Sequence, residues 1–376
     1  MASEVCGQIL TPSGWVRGRL RHDERIGAIE ADHSAPEDVL VLPGFIDLHV
    51  HGAGGVDVME GGDAALRMAR LHAKHGTTSL LATTMTAPPE QIDKALQGVR
   101  FSMAAAADDA ADIMGVHLEG PFLNSSKLGA QPPLARTGNI EQVQRWHDIA
   151  PIRVLTLAPE LPGHLELIPQ LAAMGIRAQA GHSAGSYDDG VAAIKAGLAG
   201  FTHLYNGMSG LNQYTPGMLA AALAHAEFAE IIPDLQHVAP GAIRAAMRAI
   251  PRLYAVTDAT PATGMPDGEY MLGSQRVMKC LSCVRLVLGD SLAGSALAMD
   301  QALRNLVSLG LSTAAASDRV SRFPAEYLGL RDRGTLSRGL RADYVVLDPS
   351  LHIRSVVLAG RQLTQTEGAS HEIVHA

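Results

Sequence analysis

The sequence predicts a (β/α)8 barrel, TIM-like in layout, with a small β-sandwich built from both chain ends. Three observations predict it. From about residue 45 to about residue 310, apolar runs of strand length alternate with Ala-rich helical stretches, and that alternation implies parallel strands with helical crossovers. Eight such runs occur, and eight β–α units in about 250 residues is the size of this barrel. Both ends of the chain instead carry short strands separated by turn residues.

The elements follow in chain order. "QIL", "WVRGRL" and "RIGAIE" read as small β-structure, and near Val39 the apolar "VLVLPGF" enters a different unit. The eight strands are "FIDLHVHG", "TSLLATT", "IMGVHLEG", "IRVLTLAPE", "IRAQAGHS", "GFTHLYN", "EIIPDLQHV" and "LYAVTDAT". Helical stretches between them include Asp63–His75, Pro89–Ala106, Leu165–Met174, Asp188–Ala196 and Gly241–Ile250. "ADYVVLD", "IRSVVLAG" and "RQL" return to strands that join the N-terminal ones. The expected division is 1–44 and 336–376 for the sandwich and 45–335 for the barrel. An open doubly wound sheet is the alternative, but no Gly-rich phosphate fingerprint opens it.

Composition bounds the function. The chain has 376 residues, 47% of them apolar, with 30 basic and 38 acidic side chains and a formal charge of −8. That length suits a barrel with a small companion, and the charge argues against nucleic acid or an anionic membrane as a partner. Any phosphate on a substrate needs a local site. Three cysteines, Cys6, Cys280 and Cys283, give no disulfide framework and suit a reducing, cytoplasmic setting. Cys280 and Cys283 form a single CxxC, read as strand rather than half a zinc site because no second CxxC accompanies it. We expect no signal peptide, because "MASEVCGQIL" lacks a basic start and an apolar run, and no membrane span, because no window approaches 18 uninterrupted apolar residues.

Chemistry collects at the strand ends. In a parallel barrel the C-terminal strand ends share one mouth, and ionisable groups buried there cost free energy unless paired or bound to metal. His49 and His51 lie two apart on a strand and so share a face. Sixteen histidines in 376 residues give about 0.7 such HxH pairs by chance (16 × 16/376). The spacing alone is therefore weak, and its place at a strand end before the flexible "GAGG" loop gives it weight. Glu119 ends "GVHLE", with His117 on the same face. His182 in "QAGHSAG" and His203 in "GFTHLYN" repeat the pattern. Imidazoles with a carboxylate are a ligand set for Zn²⁺ or a similar divalent ion. Asp258 closes "LYAVTDAT" and is placed to take a proton from an attacking water and return it to a leaving nitrogen. Asp234 and His237 are candidates for substrate or supporting contacts.

Longer segments carry a resemblance. "LPGFIDLHVHG", "HLEGPFLN", "TLAPE", "GHSAG", "THLYNGM", "VTDATPATGMPDGEY", "LAGSALAMDQALRNL" and "PAEYLGL…GTLSRGLRADYVVLD" run nearly end to end. Through them the chain resembles the N-acetylglucosamine-6-phosphate deacetylases of the amidohydrolase superfamily. "HLEGPF", "THLYN" and the Asp-Gly-Glu-Tyr turn are the most specific of these segments. The resemblance implies the barrel with its terminal β-sandwich, usually as a homodimer. It implies a metal held by Glu119, His182 and His203. Because His49 and His51 are present, it implies a second metal, with Glu119 bridging. Zinc is the first expectation, with iron, manganese or cobalt as alternatives. Asp258 becomes the catalytic base and acid, while Asn206, Gly207 and His237 meet the sugar and its phosphate.

The pattern is broken at three positions. Gln131 stands where the family usually has a histidine that polarises the acetyl carbonyl, and its amide can donate but carries no charge. Tyr214 stands where the family has an arginine that pairs with phosphate, one neutral donor in place of a charged fork. Leu235 replaces a usual glycine. These changes spare the hydrolytic centre and bear on the 6-phosphate and the identity of the sugar. N-acetylgalactosamine 6-phosphate, an unphosphorylated N-acetyl sugar, or the substrate of another amidohydrolase-superfamily amide hydrolase are the competing expectations. A non-enzymatic barrel predicts broken ligand positions, whereas here each one is filled.

Overall fold

The computed structural model describes residues 3–105, 107–289 and 291–363. Six parallel strands form one sheet: Phe45–Val50, Thr77–Thr84, Asp112–Glu119, Ile152–Leu157, Arg177–Ala180 and Gly200–Phe201. Phe228–Ile231 pairs in parallel with Arg252–Ala255. Leu204 donates to the carbonyl of Glu230, joining the sixth strand to the seventh. Asp258 donates to the carbonyl of His49, and His51 to that of Ala259, closing the eighth strand onto the first. All eight expected strands are therefore present, in the expected order. Their apolar runs are buried almost throughout because the barrel packs on both faces, as parallel sheets require.

The crossover helices cover the outside. Ala64–Lys74 buries Met68, Ala69 and His72 while its charged side chains face outward. Pro89–Ala105, His164–Ala173, Tyr187–Lys195 and Pro240–Ala249 occupy the expected helical stretches. Ser186 starts the third of these with a capping box, its hydroxyl accepting from Asp189 N–H, which satisfies amide groups a helix leaves free.

Strands from both termini form one sheet of seven, in which Leu40–Pro43 lies between Ser3–Thr11 and Tyr344–Leu347. The return of the C-terminal strands to the N-terminal ones is thus hydrogen-bonded as far as Arg361–Gln362, and the remainder of the expected 336–376 segment, from 364 on, lies outside the described residues. Arg341, just before Tyr344–Leu347, ties this region to the barrel through Asp112 at 3.3 Å, a carboxylate that Arg333 also holds at 2.6 Å.

A three-stranded antiparallel insert, Gly268–Leu272, Gln275–Cys280 and Cys283–Leu286, was not legible as a sheet. It builds its own small core from Leu272, Val277 and Val284 against Met85, Ala262 and Ala293 at the barrel mouth. Cys280 and Cys283 end facing strands of its hairpin as paired register positions, free thiols within strands.

Candidate metal centre

The barrel mouth gathers the six side chains singled out from the sequence. His49 lies at the end of the first strand and His51 just beyond it. Glu119 closes the third strand, and His182, His203 and Asp258 follow the fifth, sixth and eighth. All six are buried. His182, His203 and Asp258 adopt positive φ, at 47°, 26° and 50°. Non-glycine residues seldom occupy that region, and such backbone strain clusters at functional sites. Here it turns each side chain off its strand and into the mouth.

Glu119 is the hub. Its Oε1 lies 3.1 Å from His182 Nε2 and 3.0 Å from His203 Nε2. Its Oε2 lies 3.3 Å from His51 Nε2. The His182 and His203 Nε2 atoms are 3.1 Å apart, and those of His49 and His51 are 3.2 Å apart. Nitrogens about 2.0–2.1 Å from a tetrahedral ion stand roughly 3.3 Å from each other. The spacing inside each histidine pair therefore suits a shared divalent ion, and the residues fit the group. Asp258 Oδ1 completes the second set, 3.2 Å from His51 Nε2 and 3.5 Å from His49 Nε2.

The charge balance agrees with that fit. Burial lowers the imidazole of His49, but the carboxylates of Glu119, Glu230 and Asp258 carry it well above the usual histidine range. His51 is raised to about 9 against the same opposition from burial, through Asp258 and Glu119. Burial raises Asp258, yet His49 and His51 hold it down at about 2, so it rests as an anion. The pocket of carboxylates attracts positive charge, whether as protons or as metal ions.

Sequence reasoning missed the layer beneath. Glu230, fully buried, accepts from His49 Nδ1 at 3.0 Å and from the His203 backbone N–H at 3.1 Å. Gln179 donates to the Tyr254 hydroxyl, and Thr202 donates to Gln179. Thr156 lies at hydrogen-bond distance from both Thr202 and His117. Asp47 takes the Thr257 hydroxyl at 2.6 Å, beside Asp258. The available signal for Glu230 was a lone charge in the apolar strand "FAEII".

The rim is less uniform. A cavity of about 260 Å³ opens above the cluster, lined among others by Gln131, Asn206, Gly207 and His237. Gly207, at φ 60°, approaches so closely that an added Cβ would lie 3.1 Å from His182 Nδ1. His237 is fixed by Asp234, whose carboxylate lies 2.7 Å from its Nδ1. Burial lowers His237, but Asp234 wins and raises it. Tyr214 is not brought to this cavity, being 85% exposed on an outer loop. Leu235 takes φ 64°, the left-handed region that favours glycine. No lysine or arginine is among the described residues lining the cavity.

An amidohydrolase family model matches residues 40–369. The chain belongs to the amidohydrolase family. Among its relatives this amidohydrolase is 37% identical to an N-acetylgalactosamine-6-phosphate deacetylase of Escherichia coli O157:H7, over 94% of this chain and 97% of that one. It is 38% identical to an N-acetylglucosamine-6-phosphate deacetylase of Vibrio furnissii, over 89% and 86%. A mutant N-acetyl-D-glucosamine-6-phosphate deacetylase from Mycobacterium smegmatis, solved in complex with N-acetyl-D-glucosamine-6-phosphate, superposes with a TM-score of 0.90 at 33% identity. That match covers 97% of this chain and all of that one.

Proposed function

We propose that this amidohydrolase removes the acetyl group from an N-acetyl amino sugar 6-phosphate. N-acetyl-D-glucosamine 6-phosphate is the first choice, giving D-glucosamine 6-phosphate and acetate. The observation that carries the reading is the convergence of six buried ionisable side chains from five strand ends around Glu119. The deacetylase relatives support the substrate class.

Glu119, His182 and His203 would hold one divalent ion, and His49 and His51, with Asp258 and the second oxygen of Glu119, another. Such an ion polarises a carbonyl and makes water acidic enough to ionise near neutrality. Asp258, an anion in the resting site, takes the proton of the attacking water and delivers it to the amide nitrogen as the C–N bond breaks. His237, held by Asp234, and the backbone at Asn206 and Gly207 face the sugar and its phosphate. Zinc is the ion we would test first, with iron, manganese and cobalt after it. A cytoplasmic homodimer completes the reading, and no helix among the described residues is long and apolar enough to cross a membrane.

The E. coli relative favours a second reading, in which the sugar is N-acetylgalactosamine 6-phosphate. Acetate release from the gluco and galacto sugars, each with and without 6-phosphate, tests both. The proposal expects the phosphorylated gluco sugar to turn over fastest. Equal rates with and without phosphate would remove phosphate from the function, and no acetate from any of the four would remove the deacetylase reading.

A further inference from the structure

Gln131 stands where the resemblance expects a histidine that meets substrate, and its surroundings give it different work. It is 4% exposed. Its Oε1 accepts the Thr86 backbone N–H at 2.7 Å. A backbone N–H can only donate, so this contact fixes which end of the amide is oxygen. The NH2 end must then face the other way, where it donates to Glu119 Oε2 at 2.5 Å. Its remaining hydrogen reaches Met85 Sδ at 3.6 Å. Both donors are therefore held by the protein.

The Glu119 carboxylate needs such a holder. The last torsion of a glutamate is soft and roughly two-fold, yet here the carboxylate must keep one orientation to reach both histidine pairs. Oε1 meets His182 and His203 and lies 3.5 Å from His49 Nε2, and Oε2 is turned to His51. The hydrogen bond from Gln131 fixes that torsion from the Oε2 side. An uncharged donor also suits a place beside two cations, where an imidazolium would be repelled.

We propose that Gln131 is a positioning residue that locks the Glu119 carboxylate across both histidine pairs and so secures the second divalent ion at His49 and His51. This rests on reading the cluster as a metal centre. Gln131→Met and Gln131→Leu fill similar space without the donor, and two variants guard against one failing to fold. Zn²⁺ titration of the metal-stripped full-length protein against a competing chelator reads the two affinities separately. The first ion is expected to bind as in wild type and the second at least tenfold more weakly, within the roughly 10–100-fold typical when a group orienting a metal ligand is lost. In the Mn²⁺-loaded wild type, electron paramagnetic resonance is expected to show two coupled ions, and in the variants isolated Mn²⁺. Wild-type affinity for both ions in the variants, with only KM or kcat altered, overturns the proposal and returns Gln131 to the substrate. Equal weakening of both ions also overturns it. A wild-type protein that binds no ion stoichiometrically would instead remove the metal reading beneath it.

Discussion

His182 and His203 face one oxygen of Glu119, and their outer support is a neutral carbonyl: His182 Nδ1 lies 2.8 Å from Lys127 O. His49 and His51 both face Asp258, His51 also meets the other oxygen of Glu119 while His49 lies 3.5 Å from the first, and their outer support is a buried carboxylate, Glu230, on His49 Nδ1. In each pair the second histidine, His203 or His51, has an Nδ1 without a hydrogen-bond partner among the described residues. The two halves thus share a plan and differ in charge. A carboxylate behind an imidazole raises its basicity and fixes its orientation. The half that carries this extra charge is also the half that holds the proton-moving Asp258. On the proposed function the first half would hold an ion, and the second would hold an ion and also run the proton transfer, so losses there should separate into metal and chemistry.

The sharpest test of that division is Asp258→Asn. Its expected outcome is a loss of about 10²–10⁴-fold in kcat, the usual worth of a positioned acid–base group, with the His182–His203 half still loaded in metal analysis. Wild-type turnover would break the assignment of the proton to this half. Next in size is a pair of changes read by metal content alone. His203→Asn and His51→Asn are each expected to lower the bound metal by about one ion per subunit, and a change that empties both halves would show that they are one unit. Third is Glu230→Gln, which keeps the shape and removes the charge. It is expected to weaken the His49–His51 half about 10–100-fold while sparing the other. Equal effects on both halves would mean that its contact with the His203 backbone, at 3.1 Å, matters as much as the one to His49.

The same contrast explains what was legible. His49, His51, Glu119, His182, His203 and Asp258 could be read because each sits where its strand stops, and a charge at that place has few structural uses. Glu230 pairs with a residue 181 positions away, and a one-letter pattern carries no such information. Tyr214 was placed by its match to a family arginine, but the loop bearing it leaves its side chain in solvent, since loop paths are set by packing rather than by residue type. The Gly268–Leu286 insert escaped because its short strands interleave charged residues with apolar ones and bury few side chains. The terminal sheet was read correctly because the switch from short strands to alternating β and α shows in the residues themselves.

The smallest expected effect concerns stability behind the second half. His72, fully buried in the Ala64–Lys74 helix, lies 3.3 Å from the carbonyl of Gly52, the residue that follows His51. Its Nδ1 has no partner among the described residues. Donation from Nε2 leaves Nδ1 bare, so a second proton would be buried without an acceptor, and burial lowers the group to about 4. The unfolded chain takes up this proton near pH 6.5 and the folded chain refuses it until about pH 4, so folded stability falls as pH drops through that window. By pH 5 the loss is about 2 kcal/mol, since each tenfold rise in proton concentration within the window costs about 1.4 kcal/mol. His72→Gln cannot titrate. Urea midpoints of both proteins at pH 7.5 and pH 5 should therefore show the wild type losing about 2 kcal/mol more than the variant, and parallel losses would mean that His72 is protonated in the fold. Because His72 backs the loop leaving His51, the same acid window is expected to loosen the His49–His51 half before the His182–His203 half.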